Sequence, residues 1–198
     1  MHAIWPVVGE TLFAEKFQKK RTQSLLFIVA GIAASAILFQ SVGRAIPDNS
    51  LIVVIIRHGE KASSNHNLSC KGLNRALQLP AVLHKRFPKI DHAFVPALGR
   101  DKSTSHARMF QTITPFAIKN KLLINSKFGE KNHDGIAKHI LTKDGTVLLV
   151  WNHSQIQNIA RDLGVKNPPK WSGKDFDSIW AISFKHGKAS LDISKQGI

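Results

Sequence analysis

The chain has 198 residues, 43% of them hydrophobic and 21% charged, which excludes a largely disordered protein. Lys and Arg number 28 against 13 Asp and Glu, a net charge of +15 that lies mostly beyond residue 50 and favours anionic partners. A single cysteine, Cys70, excludes an intrachain disulfide and a cysteine zinc cluster, and with them a disulfide-stapled secreted module.

Residues 22–43 hold no charge, and Leu25 to Phe39 is apolar apart from Gly31 and Ser35. That length just spans a bilayer at about 1.5 Å per helical residue. Lys16, Lys19, Lys20 and Arg21 precede the run, against Arg44 and Arg57 beyond it. The bias places residues 1–21 in the cytoplasm, 22–43 across the membrane as a transmembrane helix or signal anchor, and the rest outside. The expected location is therefore the cell membrane, single-pass, with the following domain extracytoplasmic (periplasmic in a Gram-negative cell). A cleaved signal peptide is the alternative, with Ala34-Ser35-Ala36 as a small-x-small site. Residues 44–50, with Pro47, Asp48, Asn49 and Ser50, form the expected linker to a domain spanning 51–198.

Leu51 to Ile56 is six branched apolar residues in a row, the pattern of a strand buried on both faces. A helix is expected from about Lys71 to Phe87, capped by Ser69 and closed by Pro88. His92 to Ala97 reads as a short strand, His106 to Asn120 as a helix interrupted by Pro115, and Leu122 to Ile124 as another strand. Asn132 to Thr142 is a weak helix. Asp144-Gly145 turns into a second fully buried strand, Thr146 to Trp151. A helix from about Ser154 to Leu163 follows, closed by Gly164. Ile179 to Phe184 and Ala189 to Ile193, joined at His186-Gly187-Lys188, form an antiparallel hairpin. Alternating strands and helices imply a layered α/β/α domain with a mostly parallel sheet.

In such sheets ligands bind beyond the carboxyl ends of the strands. The first buried strand is followed by Arg57-His58-Gly59-Glu60-Lys61, the second by Asn152-His153-Ser154. Two histidines at equivalent strand ends can share one cleft. A neutral imidazole can carry a phosphoryl group covalently, and a guanidinium clamps phosphate oxygens through two parallel N–H bonds. Arg108, at the start of the helix after the His92–Ala97 strand, is placed to add a second cation.

These residues resemble a family. Arg57-His58-Gly59-Glu60-Lys61, with Leu68-Ser69, Gly72 and Arg75-Ala76, is similar to the opening of the histidine phosphatase superfamily. That superfamily includes the cofactor-dependent phosphoglycerate mutases and the short phosphohistidine phosphatases. Arg108 with Gln111-Thr112 resembles its second arginine motif, and Val150-Trp151-Asn152-His153-Ser154 its second-histidine motif. The stretch from Pro168 to Trp180 is similar to a subgroup of small bacterial members. The resemblance covers nearly all of residues 51–198 and implies a phosphoglycerate mutase-like fold. It implies that His58 is the phosphorylated nucleophile, that Arg57 and Arg108 bind phosphate, and that His153 hydrogen-bonds the phosphoryl oxygens. Two positions depart from the pattern. Asn152 stands where the family usually has Gly, and Ser103-Thr104-Ser105-His106-Ala107 replaces a Ser-x-Leu strand end. The acid that protonates the leaving oxygen is Glu130, Asp134 or Glu60. Glu130, in Phe128-Gly129-Glu130-Lys131, is preferred because that loop should face the cleft. For Glu60 the competing role is an ion pair with Lys61 or Arg57.

Other features carry no expected chemistry. His133 and His139 read as surface residues, Trp171 and Trp180 as core or rim, and Phe176 as core. No ligand cluster accompanies His58-Gly59-Glu60, so no metal or other cofactor is expected. The reading is a small membrane-anchored phosphomonoester hydrolase acting through a phosphohistidine on His58. Its expected partners are the membrane, through the N-terminal helix, and a phosphorylated small molecule or envelope glycan or lipid as substrate. No recognition helix or basic–aromatic interleaving points to nucleic acid. The alternative is a non-catalytic anion-binding module that keeps the pocket.

Overall fold

The structure is a computed structural model that describes residues 50–63, 66–99 and 104–198. The expected cytoplasmic segment 1–21, membrane helix 22–43 and all of the linker but Ser50 lie outside the described residues. Among the described residues no helix is long and apolar enough to cross a membrane.

Among the described residues, six strands and four helices alternate from Leu51 onwards. They are β1 (Leu51–Arg57), α1 (Cys70–Arg86), β2 (His92–Phe94), α2 (Ala107–Asn120) and β3 (Ile124–Asn125), then α3 (His133–Ile140), β4 (Gly145–Trp151), α4 (His153–Asp162), β5 (Ser178–Lys185) and β6 (Lys188–Lys195). The sheet order is β3-β2-β4-β1-β5-β6. The pairs β3–β2, β2–β4 and β4–β1 are parallel, while β1–β5 and β5–β6 are antiparallel. The expected mostly parallel α/β sheet is present, with the C-terminal hairpin added to one side. That hairpin turns at His186 and Gly187, both with positive φ (49° and 69°), as a two-residue turn requires.

Alternation along the two central strands explains the layers. Val53, Ile55, Val147 and Leu149 point to one face and pack with Ile136 and Ile140 of α3 and Ile156 and Ile159 of α4. Val54, Ile56, Leu148 and Val150 point to the other and pack with Leu79 and Leu83 of α1 and Met109 and Ile113 of α2. Burial on both faces is why these strands read as continuous apolar runs instead of alternating ones.

Some boundaries differ from expectation. The second strand stops at Phe94 and the third is Ile124–Asn125, because these short strands are defined by pairing with each other, not by their own pattern. α1 accommodates Pro80, which is buried, and α2 accommodates Pro115. α4 starts one residue earlier than expected, at His153, because Asn152 is its N-cap and accepts a bond from the Ser154 amide at 3.2 Å.

Candidate active site

β1 and β4 run parallel with Arg57 opposite Trp151, so both strands deliver their next residues to the same edge of the sheet. The His58 amide continues the ladder, donating to the Trp151 carbonyl at 3.2 Å. His58 follows β1 directly, and His153 is the first residue of α4 after the single cap residue Asn152.

The turn after β1 is fixed by close packing against α1 and α2. A Cβ on Gly59 would stand 2.8 Å from the Gly72 carbonyl oxygen, and one on Gly72 only 2.2 Å from the Glu60 carbonyl oxygen. Only glycines allow this approach of turn and helix. The Gly59 amide donates to Thr112 Oγ1 at 2.9 Å, and the fully buried Thr112 hydroxyl donates to the Arg108 carbonyl at 2.7 Å. Thr112 therefore locks the His58 turn to the helix turn that carries Arg108. Gln111 accepts from the Leu68 amide at 2.9 Å and donates to Asn67 Oδ1 at 2.8 Å, tying the loop before α1 to the same helix.

His58 is 2% exposed. Its Nδ1 lies 2.7 Å from the Gly59 carbonyl oxygen. A carbonyl only accepts, so Nδ1 carries the ring proton and Nε2 keeps its lone pair. Burial, with smaller repulsion from Arg108, Arg57 and His153, pushes the imidazole pKa down to about 4 against the opposing Gly59 bond. The ring is therefore neutral at physiological pH.

Arg57, Arg108 and His153 are thus all near enough to act on His58 electrostatically. Arg57 is 5% exposed, and burial with repulsion from Arg108 lowers its pKa to about 10, so it stays charged near neutrality. Its Nη1 donates to the Gly173 carbonyl at 2.6 Å and sits 3.3 Å from the Asp175 carbonyl. Its guanidinium lies 3.7 Å above the Phe176 ring, which also meets His58 edge-on at 6.1 Å between centroids. Burial lowers the pKa of Arg108, opposed by Glu130. Burial and then Arg57 lower that of His153. Three buried polar atoms find no partner among the described residues: Nε of Arg57, Nε of Arg108 and Nδ1 of His153. Buried polar groups are costly to leave unpaired. These three belong to the residues expected to surround a phosphoryl group; the two arginine atoms are donors suited to an anion, and His153 Nδ1 donates in one tautomer.

The structure separates the three acid candidates. Glu60 is held by Arg75, which donates from Nε at 3.0 Å and Nη2 at 2.9 Å, with Lys71 at 3.5 Å. Burial raises its pKa, but the Arg75 bonds prevail and hold the carboxyl below its ordinary value. The expected partners Lys61 and Arg57 are replaced by Arg75 because α1 carries that side chain, 7% exposed, back over the turn. Asp134 pairs with Lys138 at 2.6 Å on the exposed side of α3. Glu130 alone reaches the second-histidine motif. Its Oε1 accepts from Asn152 Nδ2 at 2.9 Å, its Oε2 lies 2.8 Å from His106 Nε2, and its carbonyl accepts from Trp151 Nε1 at 2.9 Å.

Several site residues were not singled out by sequence. Phe176 is half-buried against Arg57 and His58 and is not a core residue. Gly173 lies against His153, with a Cβ there placed 3.4 Å from Nε2. Arg75 was visible only as part of the resemblance, and His106 only within a stretch departing from it. Trp171 and Trp180 are core, as expected, 5.1 Å apart between centroids. His139 is half-buried, its ring packing 5.7 Å from Phe94 and 5.3 Å from Phe128. His133 is half-buried and bonds Asp162 at 2.5 Å.

No protein-family model and no curated protein sequence matches the chain. Solved structures do. The protein histidine phosphatase SixA complexed with tungstate superposes with a TM-score of 0.53 at 13% identity, covering 73% of this chain and 97% of that one. A mycobacterial glucosyl-3-phosphoglycerate phosphatase with inorganic phosphate gives 0.54 at 14%, covering 74% and 99%. A phosphoserine phosphatase from Entamoeba histolytica in complex with 3-phosphoglyceric acid gives 0.51 at 12%, covering 73% and 97%. Residues 51–198 thus have the α/β fold of these phosphatases, which is phosphoglycerate mutase-like.

Proposed function

We propose that this chain is a phosphomonoester hydrolase that works through a phosphohistidine on His58. The observation that carries the reading is the buried, neutral His58, with its proton fixed on Nδ1 by the Gly59 carbonyl. Its Nε2 lone pair attacks phosphorus and the ester P–O bond breaks to release the alcohol, while Arg57, Arg108 and His153 bind the phosphoryl oxygens. Water then cleaves the N–P bond and releases phosphate. The likeness of fold to phosphatases for protein histidine, phosphoserine and glucosyl-3-phosphoglycerate supports a phosphoryl substrate. The positive charge comes from side chains, so turnover needs no metal and survives a chelator. Beside Arg57 opens a cavity of about 530 Å³ where Lys61, Lys71, Arg75 and Lys174 outnumber Glu60, Asp175 and Asp177, a balance that favours an anionic substrate. Together with the apolar run at 22–43, this favours a phosphorylated small molecule, or an envelope glycan or lipid, met on the outer side of a membrane.

The test is chemical. Full-length protein mixed briefly with labelled aryl phosphate and quenched without acid should carry label that is lost in acid and kept in alkali. His58→Ala should abolish both label and turnover. His153→Ala should slow turnover by about 10²–10³-fold, the cost of one lost transition-state donor. Phosphate binding without label in the parent protein would identify an anion-binding module instead.

A further inference from the structure

Glu130 is held at both oxygens by residues that depart from the family pattern the chain resembles. Asn152 donates to Oε1 at 2.9 Å, and His106 Nε2 lies 2.8 Å from Oε2. The other ring nitrogen of His106, Nδ1, lies 2.9 Å from the Ala97 carbonyl oxygen. That carbonyl can only accept, so Nδ1 carries a proton. The contact between Nε2 and Oε2 then needs one further proton, on either the ring or the carboxyl. Asn152 cannot exchange with it, because its amide nitrogen only donates.

The placement of His106 is enforced. It is the N-cap residue of α2 with φ 63° and makes no side-chain cap bond. A non-glycine residue in the left-handed region is strained and persists where the surroundings over-determine it. Here the Ala97 carbonyl and Glu130 fix the ring from both ends. Ala97 is itself tied to the Glu130 loop, its amide donating to the Phe128 carbonyl at 2.7 Å.

We propose that His106 and Glu130 form a proton-sharing pair that supplies the leaving-group proton, with His106 and Asn152 as positioning residues. The proposal rests on the phosphohistidine reading above. In the first step the His58 Nε2–P bond forms, the P–O bond breaks, and the departing oxygen takes the pair's single proton. The pair is left as a Nδ1–H imidazole and a carboxylate. In the second step water gives hydroxide to phosphorus and its proton to the pair, and the N–P electron pair returns to Nε2. Arg108, which faces Glu130 from α2, holds negative charge there when the proton has left. His153, at the head of α4, is the titratable residue that directly follows Asn152, the other partner of Glu130. Arg100, Asp101 and Lys102 precede His106 outside the described residues.

The test uses full-length protein and two substrates of similar shape, 4-nitrophenyl phosphate and phenyl phosphate, whose leaving groups need little and much protonation. In H106L the ratio of kcat/KM for the nitrophenyl over the phenyl ester should rise at least tenfold. The ratio should vary with pH in the parent protein and be flat in H106L. H106Q can still donate to Glu130 but cannot release a proton, so its ratio should be raised as in H106L. It also stands in for H106L if the leucine variant fails to form the acid-labile label. A parent-like ratio and pH profile in H106Q overturns the proton-sharing role. A parent protein that forms no label with either ester overturns the phosphohistidine reading, whereas label with an unchanged ratio overturns only this inference.

Discussion

His58 has two consequences set by one proton. In the folded chain it binds that proton less readily than in the unfolded chain, with a pKa of about 4 against an ordinary 6.5. Between pH 6.5 and 4 the unfolded state therefore carries more protons, and stability rises with pH across that window. The contribution is fully present above pH 6.5 and is lost as pH falls through it, up to about 3 kcal/mol at 1.36 kcal/mol per unit. His153, also shifted down by burial and Arg57, adds in the same direction. Denaturant unfolding at pH 7 and pH 4.5 should show this loss, and His58→Gln should make it smaller. An equal loss in both proteins would mean that His58 is not the buried neutral group. This part of the site was open to sequence reading because its residues stand next to strong strands. His58 follows β1 directly and His153 follows β4 after one residue, whereas the His106–Glu130 contact joins loops that no local pattern connects.

At the scale of elements, the turn after β1 and the first turn of α1 interlock through Gly59 and Gly72. Gly72→Ala places a methyl against the Glu60 backbone, and the helix or the turn must yield. We expect a loss of about 1–3 kcal/mol, the cost of overpacking, and lower turnover as His58 moves with the turn. Thermal unfolding and steady-state kinetics of the variant check both effects, and parent-like values would show that the interlock is slack. The strands that position this turn were legible because burial on both faces leaves an unbroken apolar run. β3 was placed off register because two residues carry too little pattern and take their place from pairing with β2. The stretch holding 172–177 was visible only as a resemblance, and its place as a wall against Arg57 was not, since the Arg57–Gly173 bond spans 116 residues of sequence.

For the whole molecule, the apolar run at 22–43 is our ground for proposing a membrane anchor with its basic flank in the cytoplasm. The protein should stay with membranes through a high-salt wash, because burial of apolar surface is not weakened by salt. Release into the wash would show that the +15 charge alone holds it there. Arg57 carries a longer-range consequence. Its guanidinium belongs at once to the proposed phosphate pocket and to the C-terminal wall, through the carbonyls of Gly173 and Asp175 and the face of Phe176. Two ligands of one group are thermodynamically linked, and the linkage runs both ways. Inorganic phosphate should slow amide exchange in residues 172–177, and Phe176→Ala should weaken phosphate binding by the same factor that it lowers this protection. Whatever order the anion lends the segment, the segment returns as affinity, so occupancy of the pocket is felt 116 residues along the chain from Arg57.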